Sequence, residues 1–146
     1  MKIAIGSDHR GYRLKERIKS HLEAHDFECL DVGTTSEERV DYPDFALCVA
    51  RSVGRNQCAR GILICGSGIG MSMAANKQKG VRAALCTSPR MAQFSRMHND
   101  SNVLCLGSEN QEEEEALRMV DIWLRTEFEG GRHTVRLDKI RELEGI

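Results

Sequence analysis

Ile62-Leu63-Ile64-Cys65-Gly66-Ser67-Gly68-Ile69-Gly70 is a short apolar run that ends in a thiol and breaks into three glycines, with a hydroxyl between the first two. Met71-Ser72-Met73-Ala74-Ala75-Asn76-Lys77 follows and reads as the opening of a helix. The stretch is therefore a strand, a backbone turn and a helix N-terminus, with Cys65 at the strand's carboxyl end. Ligands of open α/β sheets sit at the carboxyl ends of strands. The first-turn amides and dipole of a helix favour an anion at such a place.

The same alternation extends in both directions. Ile3-Ala4-Ile5 is a first strand, residues 6–11 a turn, and Leu14, Ile18 and Leu22 a helical stripe at i+4 steps. Residues 27–33 read as a second strand and 34–39 as a polar loop. Pro43 opens a helix with the stripe Ala46, Val49, Ala50, Val53, ending near Gly54. Residues 61–64 are the third strand and 69–78 its helix; residues 80–86 are the fourth strand. Ser88-Pro89 caps the next helix, which carries Met91, Phe94 and His98 on one stripe. Residues 102–108 are the fifth strand. A helix then begins with Glu112 to Glu115 in its first turn, where carboxylates suit the dipole, and runs on through Leu117, Val120, Leu124 and Phe128. Strands alternating with helices imply a parallel sheet covered on both faces. Residues 129–132 break the pattern. Residues 134–146 form a last amphipathic helix with Leu137, Ile140 and Leu143, which packs either on its own domain or on a second subunit.

The chain has 146 residues, the size of one domain (1–146), with 40% hydrophobic and 29% charged residues and a formal net charge of -1. Near-neutral charge gives no electrostatic reason for a nucleic acid or an anionic membrane as partner. No apolar run approaches the roughly 20 residues of a membrane span, and the start lacks the apolar core of a secretion signal. The six cysteines form no C-x-x-C pair. All read as reduced thiols of a cytoplasmic protein, most of them simple packing residues.

The glycine loop is not a dinucleotide fingerprint: from Gly66 the third glycine of G-x-G-x-x-G falls on Met71, and from Gly68 on Met73. Residues 6–11 have P-loop spacing, but Tyr12 and Arg13 replace its Lys and Ser/Thr. A dinucleotide-dependent oxidoreductase and a nucleotide hydrolase are thereby disfavoured. What remains is a turn of close amides with a hydroxyl, suited to a developing oxyanion. The thiol beside it is either a nucleophile or a base that removes a proton next to a carbonyl.

Further polar residues fall at element ends, and the reading gathers them at the same sheet edge. Asp8 and His9 follow the first strand, Tyr42 opens the second helix, His98-Asn99-Asp100 ends the fourth, and Arg132, His133 and Arg136 lie at the Gly-Gly break. Plain alternatives stand beside each: a helix cap for Asp8, a solvated turn for His9, a packed edge for Tyr42, a core histidine for His98, solvated charges for Arg132 and Arg136. His21 and His25 read as surface residues without partners, and no metal-ligand spacing occurs.

Five runs in order carry a family resemblance: Ser7-Asp8-His9-Arg10-Gly11; Glu38-Arg39-Val40-Asp41-Tyr42-Pro43; Cys65-Gly66-Ser67-Gly68-Ile69-Gly70; His98-Asn99-Asp100-Ser101-Asn102-Val103-Leu104; and Glu129-Gly130-Gly131-Arg132-His133. The chain resembles the type B ribose-5-phosphate isomerases, whose wider family includes galactose-6-phosphate and allose-6-phosphate isomerases. The resemblance implies a Rossmann-like three-layer α/β sandwich with a five-stranded parallel sheet. It implies interconversion of ribose 5-phosphate and ribulose 5-phosphate through an enediol(ate), without metal or organic cofactor. By resemblance Cys65 is the base moving the proton between C1 and C2. Ser67 and the amides of Gly66, Ser67, Gly68, Ile69 and Gly70 stabilise the enediolate. His98 opens the sugar ring with Asp8 and Tyr42 assisting, Asn99 contacts the sugar, and His9, Arg132 and Arg136 clamp the phosphate. It further implies a homodimer, or a dimer of dimers, with the site shared across a two-fold interface and the histidine and arginines partly supplied by the neighbouring subunit.

Two other functions fit the same residues: isomerisation of a six-carbon sugar phosphate, and sugar-phosphate binding without catalysis. One departure stands out. Many relatives have an arginine after the fifth strand in a Gly-Ser-Arg run, where this chain has Gly107-Ser108-Glu109. Either Glu109 points away, or the phosphate is held by fewer cations.

Overall fold

The computed structural model describes residues 1–146. In chain order the elements are β1 (Lys2–Ser7), α1 (Tyr12–Ala24), β2 (Glu28–Asp31), α2 (Tyr42–Gly54), β3 (Arg60–Cys65), α3 (Ile69–Ala75), β4 (Ala83–Leu85), α4 (Pro89–Met97), β5 (Val103–Gly107), α5 (Glu113–Arg125) and α6 (Arg132–Glu144). The five strands form one parallel sheet in the order β2-β1-β3-β5-β4.

Alternation along the strands builds two cores, as strand geometry requires. Ile3, Ile5, Ile62, Ile64, Leu104 and Leu106 face α1, α4 and α5, whose Leu14, Ile18, Ala92, Leu117, Val120 and Trp123 complete that layer. Ala4, Leu63, Cys65, Val103 and Cys105 face α2 and α3 across Ala46, Val49, Ala50, Val53, Met71 and Ala75. The expected three-layer α/β sandwich is present, with Cys65 on the α2–α3 side. No helix is long and apolar enough to cross a membrane.

Several details differ from the sequence reading. β4 has only three residues, and α3 stops at Ala75 rather than 78. The Asn76 side chain takes the Ala83 N–H and donates to the Ser72 and Ala83 carbonyls, tying the end of α3 to the start of β4. The Ser88 hydroxyl caps α4 through the Met91 N–H, as expected, but the helix buries Ala92, Ser95 and Arg96 while Met91 is exposed. The buried Arg96 is satisfied by Asp100 Oδ1 at 2.8 Å and by the Ser101 and Thr126 carbonyls. α5 ends at Arg125, before Phe128. α6 starts at Arg132 and buries only His133 and Leu137, leaving Leu143 88% exposed. His21 is not free: its Nε2 lies 2.8 Å from Asp121 Oδ1.

Candidate active site

β1 connects outward to β2, and the chain then returns to place β3 on the other side of β1. The strand order reverses between β1 and β3, and such a switch point opens a crevice at the carboxyl ends of the two strands. Asp8 follows β1 and Cys65 ends β3. Asp8 Oδ1 accepts the N–H groups of Arg10 and Gly11, both at 3.0 Å, which closes the turn into α1. Its other oxygen makes no hydrogen bond within the chain. The cap role weighed for Asp8 is thus real, and half the carboxylate is still left for the crevice.

Cys65 is 5% exposed. The Gly68 N–H donates to its sulfur at 3.1 Å and holds it in place. Gly68 is able to do so because its φ of 78°, a left-handed conformation, curls the loop back over the strand end. The Ile69 N–H donates to Ser67 Oγ at 3.2 Å, so the hydroxyl accepts here and keeps its own proton to donate. Asn110 Nδ2 pins the Ser67 carbonyl at 2.9 Å. The N–H groups of Gly66, Ser67 and Gly70 have no acceptor within the chain.

A cavity of about 410 Å³ opens over this loop, bounded by Asp8, Arg10, Tyr42, Ser67 and Glu109. It shares Asp8, Arg10 and Tyr42 with a larger one of about 840 Å³ that adds His9, Arg39 and Asp41. The Val40 N–H donates to His9 Nδ1 at 3.2 Å, which makes Nδ1 the acceptor and leaves the proton on Nε2. The crevice thus holds a thiol, a hydroxyl, unpaired amides, the guanidinium groups of Arg10 and Arg39, and the carboxylates of Asp8, Asp41, Asp44 and Glu109.

Four further cysteines are packing residues. Burial pushes the Cys29 and Cys86 thiols up to about 11. Burial likewise raises Cys58, and it raises Cys105 with the neighbouring Cys65 and Cys86 thiols adding to the effect. These four are packing thiols at neutral pH.

The remaining expected residues assemble elsewhere. α4 and α5 run back against the strands, so their C-termini return to the amino ends of the sheet. His98 caps the C-terminus of α4, and the Asn99 carbonyl accepts from Nε of Arg82, the residue before β4. Asp100 anchors this turn through Arg96 and Arg82, so its carboxylate is structural. The His98 ring stacks on Phe94 at 4.9 Å and on His133 at 4.4 Å. Glu129 Oε2 lies 3.9 Å from His98 Nε2 and 3.5 Å from His133 Nε2. Arg136 Nη1 reaches His133 Nδ1 at 3.4 Å, while Arg132 is exposed beside it. Desolvation lowers the pKa of His133, and His98, Arg132 and Arg136 lower it further against the pull of Glu129.

Ligating atoms of His98, Glu129 and His133 lie within 4.8 Å of one another. The two imidazoles are stacked 16° from parallel, however, so their in-plane lone pairs run side by side and do not converge on one point. The carboxylate is shared between two rings.

The expectation of a single edge is therefore corrected. Asp8, His9, Tyr42 and residues 65–70 meet at the carboxyl ends of the strands. His98, Asn99, Arg132 and Arg136 meet at the amino ends, a strand length of roughly 15 Å away. Helix ends that look alike in the sequence lie at opposite ends of the sheet once the direction in which each helix returns is followed. Arg10, Arg39, Glu129 and His133 carry no role in the family resemblance, yet they line these two clusters. Arg10 and Arg39 were within reach, standing directly after Asp8-His9 and just before Tyr42.

The chain matches the family model described as Ribose/Galactose Isomerase over residues 3–140. It is 49% identical to ribose-5-phosphate isomerase B of Escherichia coli strain K12 over 143 residues, 98% of this chain and 96% of that protein. Among solved structures, Clostridium thermocellum ribose-5-phosphate isomerase B superposes with a TM-score of 0.98 at 53% identity, covering 99% of this chain and 98% of the other. Ribose-5-phosphate isomerase B from Mycoplasma genitalium, with bound ribulose-5-phosphate, gives 0.95 at 46% identity, covering 99% and 96%.

Proposed function

The chain belongs to the ribose/galactose isomerase family, and from that premise we propose that it is an aldose–ketose isomerase interconverting ribose 5-phosphate and ribulose 5-phosphate. The observation that carries the chemistry is Cys65: a thiol fixed by the Gly68 amide, opening into a polar crevice at the switch point of the sheet.

Cys65 acts as the base that takes the proton from C2 of the open-chain aldose and returns it to C1. The intermediate carries negative charge on oxygen. The free amides of Gly66, Ser67 and Gly70 and the Ser67 hydroxyl are the donors for it, and fixed donors of this kind need no reorganisation as charge develops. Asp8 and Tyr42 border the same cavity and serve the sugar hydroxyls, and His9 offers its Nε2 proton to the phosphate.

Ring opening needs an acid–base group near the ring oxygen, and His98 belongs to the far end of the sheet. A second copy in two-fold arrangement supplies it, together with Asn99, Arg132 and Arg136. Exposed apolar side chains at Met73, Met91, Val135, Ile140 and Leu143 support such a contact. The protein is thus read as a homodimer, or a dimer of dimers, with composite sites.

The test is formation of ribulose 5-phosphate from ribose 5-phosphate, with deuterium uptake from solvent at C1 of the ketose. Wild type is expected to do both and Cys65→Ala neither. Full activity of Cys65→Ala overturns the assignment of the base.

A further inference from the structure

Arg10 and Glu109 face each other across the mouth of the Cys65 cavity. Arg10 Nη1 is 3.6 Å from Glu109 Oε1, and both side chains are 61% exposed. The pair lies above Gly66: a Cβ built there would stand 3.0 Å from Arg10 Cδ, 3.1 Å from its Nη1 and 3.4 Å from Glu109 Oε1. Glu109 is anchored from below, its N–H donating to the Gly66 carbonyl at 3.1 Å. Arg10 is anchored at its own N–H by Asp8, and its side chain lines both cavities of the crevice.

A single contact between two exposed charges is weak, because water screens it and both side chains lose freedom. A phosphate dianion takes a guanidinium in two parallel hydrogen bonds and carries more charge than a carboxylate. Asp8, Asp41 and Asp44 also line the larger cavity, where Arg10 stands with Arg39 and with His9, whose Nε2 proton is free. A phosphate settling among the two arginines and the histidine offers Arg10 a stronger partner than Glu109. We infer that Arg10 is a further cation of the phosphate subsite, and that Glu109 competes with the substrate's phosphate for it. The inference rests on the isomerase reading for the identity of the substrate, but not for the binding of phosphate.

The experiment compares wild type, Arg10→Gln, Glu109→Gln and the double variant. Each is titrated with inorganic phosphate by calorimetry and assayed with ribulose 5-phosphate. Arg10→Gln is expected to weaken phosphate binding and raise KM about 10-fold, with kcat within about 3-fold. Glu109→Gln is expected to tighten both by about 3-fold, and the double variant is expected to behave as Arg10→Gln, since the carboxylate acts only through Arg10. Unchanged phosphate binding in Arg10→Gln, or no tightening in Glu109→Gln, overturns the inference. So does a fall in kcat at constant KM, which would move Arg10 from the phosphate to the reacting carbons. If wild type does not isomerise ribulose 5-phosphate, the functional reading fails by itself, and the phosphate titrations still decide the role of Arg10.

Discussion

The ring of Tyr42 lies directly on the backbone of Gly70. A Cβ at position 70 would stand 2.5 Å from Tyr42 Cζ, 2.6 Å from Cε2 and 2.9 Å from the hydroxyl oxygen. The first residue of α2 is thereby pressed against the first turn of α3, and the tyrosine becomes a wall of the Cys65 cavity. Glycine at 70 is a requirement of that contact.

Gly70→Ala is therefore expected to push Tyr42 out of place while the fold survives, since Tyr42 is exposed and free to move. Displacing a wall by about 1 Å costs on the order of 10- to 100-fold in kcat/KM. Combining Gly70→Ala with Tyr42→Ala removes the clash, so the double variant should be no worse than Tyr42→Ala alone. Steady-state kinetics of the three variants checks this; additive losses would show that Gly70 acts through something other than the ring.

The split between Cys65 and His98 makes a sharper prediction. Cys65→Ala and His98→Asn are each expected to be inactive when purified alone. Mixed under conditions that exchange subunits, half of the dimers become hybrid, and each hybrid carries one intact site and one doubly altered site. Activity should return to roughly a quarter of wild type, the fraction a symmetric two-site interface dictates. Continued inactivity after proven exchange would place both residues in one subunit's site.

The crevice was legible in the sequence because its signals are local. Cys65, the glycines after it, Asp8 and Tyr42 all sit at strand or helix ends marked by glycine or proline. The capping Ser88-Pro89 pair was legible for the same reason. What escaped depends on contacts distant in sequence. His21 meets Asp121 one hundred residues later. The stacking of His98 on His133 joins two helices whose relative direction no periodicity encodes. The division of the site into two clusters follows from the return direction of α4 and α5, which residue spacing does not encode; only the family resemblance implies that the histidine and arginines come from a second subunit.

Away from the site, Lys15 is almost wholly buried, and its ammonium meets Asp31 Oδ2 at 2.7 Å and Glu16 Oε1 at 3.0 Å. Asp31 also takes Lys19 at 2.9 Å and the Gly33 N–H. Burial works to raise the Asp31 carboxyl, but the hydrogen bonds from Lys15, Lys19 and Gly33 outweigh it and hold the pKa below its ordinary value. Asp31→Asn leaves a buried cation with one partner fewer and should destabilise the fold by about 3 kcal/mol, at the lower end for a broken buried pair. Urea denaturation at pH 7 measures it. The wild-type contribution is present above the ordinary carboxylate range and is lost as pH falls through the lowered value, so the gap between the two proteins should narrow in acid.

His133 has the same sign in its dependence on pH, in a higher window. It is 6% exposed, its Nε2 makes no hydrogen bond, and desolvation with nearby His98, Arg132 and Arg136 lowers its pKa from the usual 6.5. Between the lowered value and 6.5 the unfolded chain binds a proton at this ring that the folded chain does not. Stability must therefore rise with pH through that window and level off above it. His133→Phe keeps a ring to stack on His98 and removes the titration. Urea midpoints followed from pH 5 to pH 8 should rise more steeply for wild type than for His133→Phe below 6.5, with the two curves parallel above it. Parallel curves throughout would mean that the imidazole is as readily protonated in the fold as in the unfolded chain, and that Glu129 dominates its surroundings.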